Sequence, residues 1–225
     1  MNNQRTIVLD TETTGFKPDE GHRIVEIGAV ELFGFSLGQQ FQRYINPERP
    51  MPTAAFEVHG LSSRFLANKP LFADIVEEFL AFLGDATLLI HNSDFDMNFI
   101  NHHLEELGYP KLSNQVIDSV AVARRSFPNQ PNTLDALCRR FNIDLSDRTH
   151  HGALKDSLLL AEVWIELNGG RQGNLALDGK TSGRLGNSDA RGQASHSNMS
   201  TPTNLSQTDS NNNQQNQMIA SIATA

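Results

Sequence analysis

Four carboxylates stand where an ordinary solvated acid is an incomplete explanation. Asp10 closes the apolar run Ile7-Val8-Leu9, and Glu12 follows two residues later. Residues two apart in a strand point to the same face, so the two carboxylates stand side by side at the strand's end. So apolar a run belongs in the middle of a sheet, where an unpaired carboxylate is costly. Paired carboxylates also raise each other's pKa unless a cation neutralises them. Asp96 lies just after the strand-like Ala86–Ile90, in the first turn of a helix-like segment, and Asp156 lies at the start of the last helix-like segment. Taken singly, each has a plain account: a solvated strand end, or an acid favoured by the helix dipole. Together, three carboxylates at strand ends or helix starts, with a fourth two residues from the first, match an oxygen-ligand site for hard cations. That site suits phosphodiester hydrolysis, in which two cations about 3.5–4 Å apart clamp the attacking and leaving oxygens.

Positioning these groups takes an α/β scaffold. Arg5–Asp10 reads as a central strand; Arg23–Phe33 and Phe35–Ile45 read as two more, joined by a turn near Gly34. Leu71–Leu83 carries apolar residues at a helical period and is stopped by Gly84-Asp85. A helix from Asp94 or Phe95 to Leu107 ends at Gly108, with Pro110 beyond. Asp118–Arg125, Thr133–Phe141 (with Thr133 as N-cap) and Gly152–Asn168 read as further helices. Three strands followed by helices alternating with at least one more strand predict a sheet covered by helices.

The charge balance narrows the mode of action. Residues 1–170 carry 14 Lys+Arg against 23 Asp+Glu, so this region lacks the basic surface of a stand-alone nucleic-acid binder. If it acts on nucleic acid, metal ions and partner proteins supply the attraction. The single cysteine, Cys138, excludes an internal disulfide and reads as a small buried residue. The longest apolar runs fall far short of the roughly 20 residues of a membrane span, and no signal-type apolar segment opens the chain. A soluble, cytoplasmic protein is expected. Residues 171–225 contain no aromatic residue, and 32 of the 55 are Asn, Gln, Ser, Thr or Gly. Such a composition predicts a flexible tail, with a domain boundary near residue 170.

The motifs also carry a family resemblance. Asp10-Thr11-Glu12-Thr13-Thr14-Gly15, His91-Asn92 with Phe95-Asp96, and His151-Gly152-Ala153 with Asp156 resemble the three exonuclease motifs of the DEDDh superfamily. Ile7–Gly15, Ile24–Val30, Val58-His59-Gly60, Asp118–Arg125 and Leu134–Cys138 are similar to segments of the epsilon subunits of bacterial DNA polymerase III. The likeness spans residues 5–170. It implies a ribonuclease-H-like fold, a mixed sheet flanked by helices. It also implies proofreading, the 3′→5′ removal of mispaired terminal nucleotides from DNA one at a time.

Residue roles follow from the same resemblance. Asp10 and Asp156, with Glu12, are implied ligands of one Mg2+ or Mn2+; Asp10 bridges to a second ion, which Asp96 holds directly or through water. His151 matches the general base, and an imidazole's ordinary pKa near ~6.5 suits taking a proton from the attacking water near neutral pH. The neighbouring His150 falls at a variable position. A tyrosine one residue nearer the aspartate would mark the sister subgroup, but position 152 is glycine. His59 matches a substrate-contacting histidine, with a purely structural histidine as the alternative. Thr13 is placed to contact the terminal nucleotide through its backbone or hydroxyl, beside Asp10, Glu12 and Asp156. Ala54 departs from the pattern, since a glutamate is frequent there; Glu57 is nearby but out of register, so that role is not transferred.

Within the tail, Gln172-Gly173-Asn174-Leu175-Ala176-Leu177 resembles the sliding-clamp-binding motif of replication proteins, with Gln172, Leu175 and Leu177 as contacts. An accidental apolar island is the alternative. The resemblance further implies that the tail tethers the domain to the polymerase catalytic (alpha) subunit, and it leaves a small accessory subunit open. Two other functions compete with proofreading. A free-standing nuclease trimming RNA or DNA ends would be expected to carry basic surface, and a non-enzymatic scaffold has no need of four carboxylates and a histidine.

Overall fold

The computed structural model describes residues 5–146 and 150–169. The tail expected after residue 170, and the motif at residues 172–177 within it, lie outside the described residues. Strands β1 (Arg5–Thr13), β2 (Ile24–Phe33) and β3 (Ser36–Tyr44) form an antiparallel meander. They are followed by helices α1 (Thr53–His59), α2 (Ser63–Leu66) and α3 (Phe72–Leu83), strand β4 (Thr87–Ile90) and helix α4 (Ser93–Glu106). Strand β5 (Val116–Asp118) and helices α5 (Ser119–Ser126), α6 (Leu134–Arg140) and α7 (Ala153–Leu167) complete the order. The sheet runs β3-β2-β1-β4-β5, with β4 parallel to β1 and β5 parallel to β4.

Strand alternation divides the core between two helical layers. Ile7 and Leu9 of β1 and Leu88 and Ile90 of β4 pack with Phe79 of α3 and Phe99 of α4 on one face. Val8 and Leu89 face the other way, against Leu137 and Cys138 of α6 and Leu160 and Val163 of α7. Strands covered on both faces read as continuous apolar runs, which is why β1 and β4 were legible. Cys138 is fully buried, as its setting predicts. The Thr133 hydroxyl accepts from Ala136 N at 3.2 Å and caps α6. Among the described residues, no helix is long and apolar enough to cross a membrane.

The structure corrects the sequence reading in two places. β1 does not stop at Asp10 but continues to Thr13, with a register shift between Glu12 and Thr13. Asp10 and Glu12 are therefore paired strand residues, opposite Gly28 and Glu26 of β2. The short elements α1, α2 and β5 also went unread. β5 has three residues, too few to show a period, and α1 follows Pro52 with no side-chain cap.

Candidate active site

Even-numbered β1 residues share the face of Val8, so Asp10 and Glu12 point toward the α7 layer. The first turn of α7 comes down on β2 opposite Asp10. The Ser157 hydroxyl donates to the Gly28 carbonyl at 2.9 Å. A Cβ at Gly28 would lie 2.0 Å from the Leu154 nitrogen, so only glycine admits this approach. Asp156, on that same first turn, is thereby brought to Asp10 and Glu12. Ligand atoms of Glu12, His151 and Asp156 lie within 4.8 Å of one another.

Asp96 arrives from the opposite layer. β4 ends at Ile90, the chain turns through Asn92 in the left-handed conformation (φ 67), and α4 begins at Ser93. The Asp118 carboxylate fixes this turn by accepting from Asn92 N at 3.1 Å, while capping α5 through Val120 N at 2.9 Å. Asp96 is 2% exposed and accepts from the Thr11 hydroxyl at 2.7 Å. Thr11 points to the α4 side of β1, between Asp10 and Glu12, which point to the other. The carboxylates thus converge on the carboxyl end of the parallel pair β1/β4 from both faces of the sheet. Open α/β sheets commonly bind ligands at that end.

The electrostatics of the site follow from this crowding. Burial first, then the charges of Asp96, Glu12, Asp156 and Glu26, push the Asp10 carboxyl well above the usual carboxylate range. Burial pushes Asp96 up to about 7, against hydrogen bonds from Thr11 that favour its charged form. Acids this crowded hold protons unless positive charge replaces them. With an oxygen-rich donor set, a hard divalent cation fits the residues present.

Histidines line the other side. His151 Nδ1 lies 3.3 Å from Asp156 Oδ2, and its side chain is 39% exposed. The His151 backbone N–H donates to the Val58 carbonyl at 3.1 Å, tying the segment before α7 to the end of α1. His59 is buried at the end of α1; its Nδ1 accepts from Leu61 N at 3.0 Å and its Nε2 has no hydrogen-bond partner. Burial, with smaller contributions from His151 and His150, lowers its pKa, and the Thr13 backbone partly opposes this. His59 and Thr13 therefore stand in one neighbourhood with His151. The Thr13 hydroxyl donates to the Gly15 carbonyl at 2.5 Å, which commits it to the turn. The ring of exposed His150 lies against Gly60, where an added Cβ would approach it to 3.3 Å. Ala54 and Glu57 are both exposed on α1.

Sequence reasoning missed Thr11, Glu26 and Asp118, all of which touch the site or hold it in place. Glu26 had a readable signal, a carboxylate inside the apolar run Ile24-Val25-Glu26-Ile27. A cleft of about 590 Å³ opens elsewhere, beside Arg23, Arg49, Phe72, His103 and Glu106. None of the site carboxylates lines it, so it is not the reaction centre.

A mixed five-stranded sheet of this order, covered by helices and carrying carboxylates at its central strand ends, defines the ribonuclease-H-like exonuclease class. The nuclease domain of 3′hExo, a DEDDh family member solved bound to rAMP, superposes with a TM-score of 0.64. That match covers 74% of this chain and 92% of that one at 18% identity. Exonuclease X, solved with 5′-overhanging duplex DNA, gives 0.59 over 72% and 90% of the two chains at 23% identity. At such identities the likeness is one of fold. Sequence goes further: a family model described as exonuclease matches residues 7–164. DNA polymerase III subunit epsilon of Rickettsia prowazekii is 50% identical over 186 residues, 80% of this chain and 81% of that one. The Escherichia coli K12 subunit of the same name is 45% identical over 192 residues, 81% and 79% of the two chains. This chain belongs to the exonuclease family and, within it, to the DNA polymerase III epsilon subunits. It is a metal-dependent 3′→5′ proofreading exonuclease.

Proposed function

We propose that Asp10, Glu12, Asp96 and Asp156 hold two divalent cations, Mg2+ or Mn2+, at which mispaired 3′-terminal nucleotides are hydrolysed from DNA. The observation that carries this reading is the crowding of buried carboxylates from β1, α4 and α7, strong enough to drive Asp10 and Asp96 toward protonation. The cations supply positive charge for the transition state and acidify the attacking water. His151 is the base rather than a ligand. A hard cation prefers oxygen donors, and the half-exposed imidazole can pass a proton to solvent. Asp156, 3.3 Å away, orients the ring. His59, buried beside Thr13, and the Thr13 backbone hold the terminal nucleotide.

An acidic domain offers little to melt a duplex, so selectivity follows from the cost of unpairing, which a mismatch lowers. The full chain should excise mismatched or single-stranded 3′ ends faster than paired ones, and the polymerase subunit should accelerate paired-primer editing by delivering the end. Digestion of matched and mismatched primers, with and without that subunit, tests this; equal rates on both ends would remove the editing role.

Residues 171–225 tether the exonuclease to the polymerase alpha subunit, and Gln172, Leu175 and Leu177 engage the sliding clamp. Burial of two leucines contributes about 3–6 kcal/mol, and fixing a short peptide on the clamp offsets several of these. Micromolar or weaker binding is the expected net, useful because the polymerase contact makes it intramolecular. A peptide of residues 168–180 should bind the clamp, and the Gln172→Ala/Leu175→Ala peptide should bind at least tenfold more weakly. Indistinguishable binding would reduce the motif to linker.

A further inference from the structure

Helix α7 carries Asp156 in its first turn and follows directly on His151, yet its own sequence gives that turn no side-chain cap. The N-cap is Gly152, in extended conformation (φ −159, ψ 127), with no side chain to accept from the helix's first N–H groups. Those groups are strong donors that must be satisfied when buried. The acceptor comes from the sheet. Glu26 of β2 is 2% exposed; burial raises its pKa, opposed by the Gln42 amide and by the backbone N–H groups of Ala153 and Leu154, which face its carboxylate. Its Oε2 lies 3.9 Å from where a Gly152 Cβ would stand. Its Oε1 accepts from the Gln42 side-chain amide at 2.8 Å, and that same amide nitrogen donates to the Tyr44 hydroxyl at 3.1 Å.

The placement of this acid is otherwise hard to account for. Glu26 pairs directly across β1/β2 with Glu12, and like charges opposite one another weaken a sheet. A carboxylate at a helix N-terminus gains instead from charge-assisted hydrogen bonds and the helix dipole. The Gln42 amide holds Oε1 and the start of α7 stands over Oε2, so Glu26 is not set up as a further cation ligand.

We propose that Glu26 is a positioning residue of the exonuclease: a sheet-borne carboxylate that caps the first turn of α7 and so fixes His151 and Asp156 against Asp10 and Glu12. This rests on the roles proposed above for His151 and Asp156. Ser157 to Gly28 anchors one side of the turn; Glu26 anchors the end next to the chemistry. Loss of the cap frees the turn while leaving the α7 core face, from Leu159 onward, in place.

The test compares Glu26→Ala, Glu26→Gln and Asp156→Ala in the full chain. The readouts are amide exchange at residues 153–156, kcat on a single-stranded oligonucleotide, and the Mg2+ concentration giving half-maximal rate. Misplacement of a reacting group by about 1 Å costs up to roughly 100-fold. Glu26→Ala should therefore speed exchange of the Ala153 and Leu154 amides, lower kcat about 10- to 100-fold and raise the half-maximal Mg2+ concentration, with KM for DNA little changed. Glu26→Gln keeps an acceptor for the helix, and Gln42 can flip its amide to match, so most of the rate should return. A core substitution of equal thermal cost, Leu104→Ala, should leave kcat and the Mg2+ dependence unchanged, which separates positioning from mere destabilisation. Where Glu26→Ala does not fold, Glu26→Asp, one methylene too short to reach the amides, takes its place. Unchanged exchange at residues 153 and 154 would overturn the cap. Faster exchange with unchanged kcat and Mg2+ dependence would overturn its positioning role. Inactivity of Glu26→Gln as complete as that of Asp156→Ala would make Glu26 a cation ligand and overturn the proposal. An active Asp156→Ala would instead refute the site assignment on which the proposal rests.

Discussion

Asp10→Ala, Asp96→Ala and Asp156→Ala should each bring 3′→5′ excision to background in saturating Mg2+ while the protein remains folded. Each removes charge from a cation site whose transition-state stabilisation is worth several kcal/mol, and about 4 kcal/mol is already a thousandfold in rate. The structure adds an effect on stability. Asp10 and Asp96 are strained by burial and by one another, so removing either should leave the metal-free melting temperature unchanged or higher. The sign with pH follows from the raised values. An unfolded aspartate titrates near ~3.9, and folded Asp96 near about 7. Between those limits the folded protein binds a proton that the unfolded chain does not. Its contribution to stability is full below the window and is lost as pH rises through it, by at most about 1.4 kcal/mol per pH unit for each group. Melting in chelator from pH 5 to pH 8 should therefore fall more steeply for wild type than for Asp96→Asn, and added Mg2+ should restore most at pH 8. A variant retaining near-normal excision, or a wild-type melting temperature that climbs across this window without metal, would refute the ligand assignment.

Much of this arrangement was legible because its signals are one-dimensional. β1 and β4 are short apolar runs, α3 shows a helical period, α4 ends on a Gly108/Pro110 stop signal, and Asp96 and Asp156 lie at helix starts. The same-face pairing of Asp10 with Glu12 needed only strand alternation, although the strand proved longer than expected. What escaped depends on contacts far apart in sequence. Thr11 reaches Asp96 across 85 residues, and Ser157 reaches Gly28 across 129. No local pattern shows that a glycine in β2 leaves room for the start of α7, or that Asp118 holds the turn before α4. Glu26 is the instructive omission. Like Asp10, it is a carboxylate inside a central apolar strand. Only the neighbouring Asp-x-Glu pattern drew attention to one and not the other. α1 escaped for a different reason: it is a short helix without a side-chain cap, and only its place beside Thr13 gives His59 meaning.

His151→Ala should lower excision by about 10²–10⁴, the usual worth of a positioned base, whereas His150→Ala should change it little. The two histidines are adjacent, but the structure separates them. His151 contacts Asp156 at 3.3 Å and is held by its backbone N–H to Val58, while the His150 ring lies on Gly60. The pH profile distinguishes a base from a structural part. In saturating Mg2+ the cations hold the carboxylates ionised, so Asp96 no longer titrates near neutrality. His59 does not confuse the reading, because burial and its histidine neighbours move its proton loss to lower pH. With His151 as the base, the rising limb of the rate against pH should vanish in His151→Ala, leaving the remaining rate flat. His59→Ala should behave otherwise, raising KM for the 3′ end more than it lowers kcat and leaving the rising limb in place. Equal losses from His150→Ala and His151→Ala, or a limb that survives in His151→Ala, would take the proton transfer away from His151.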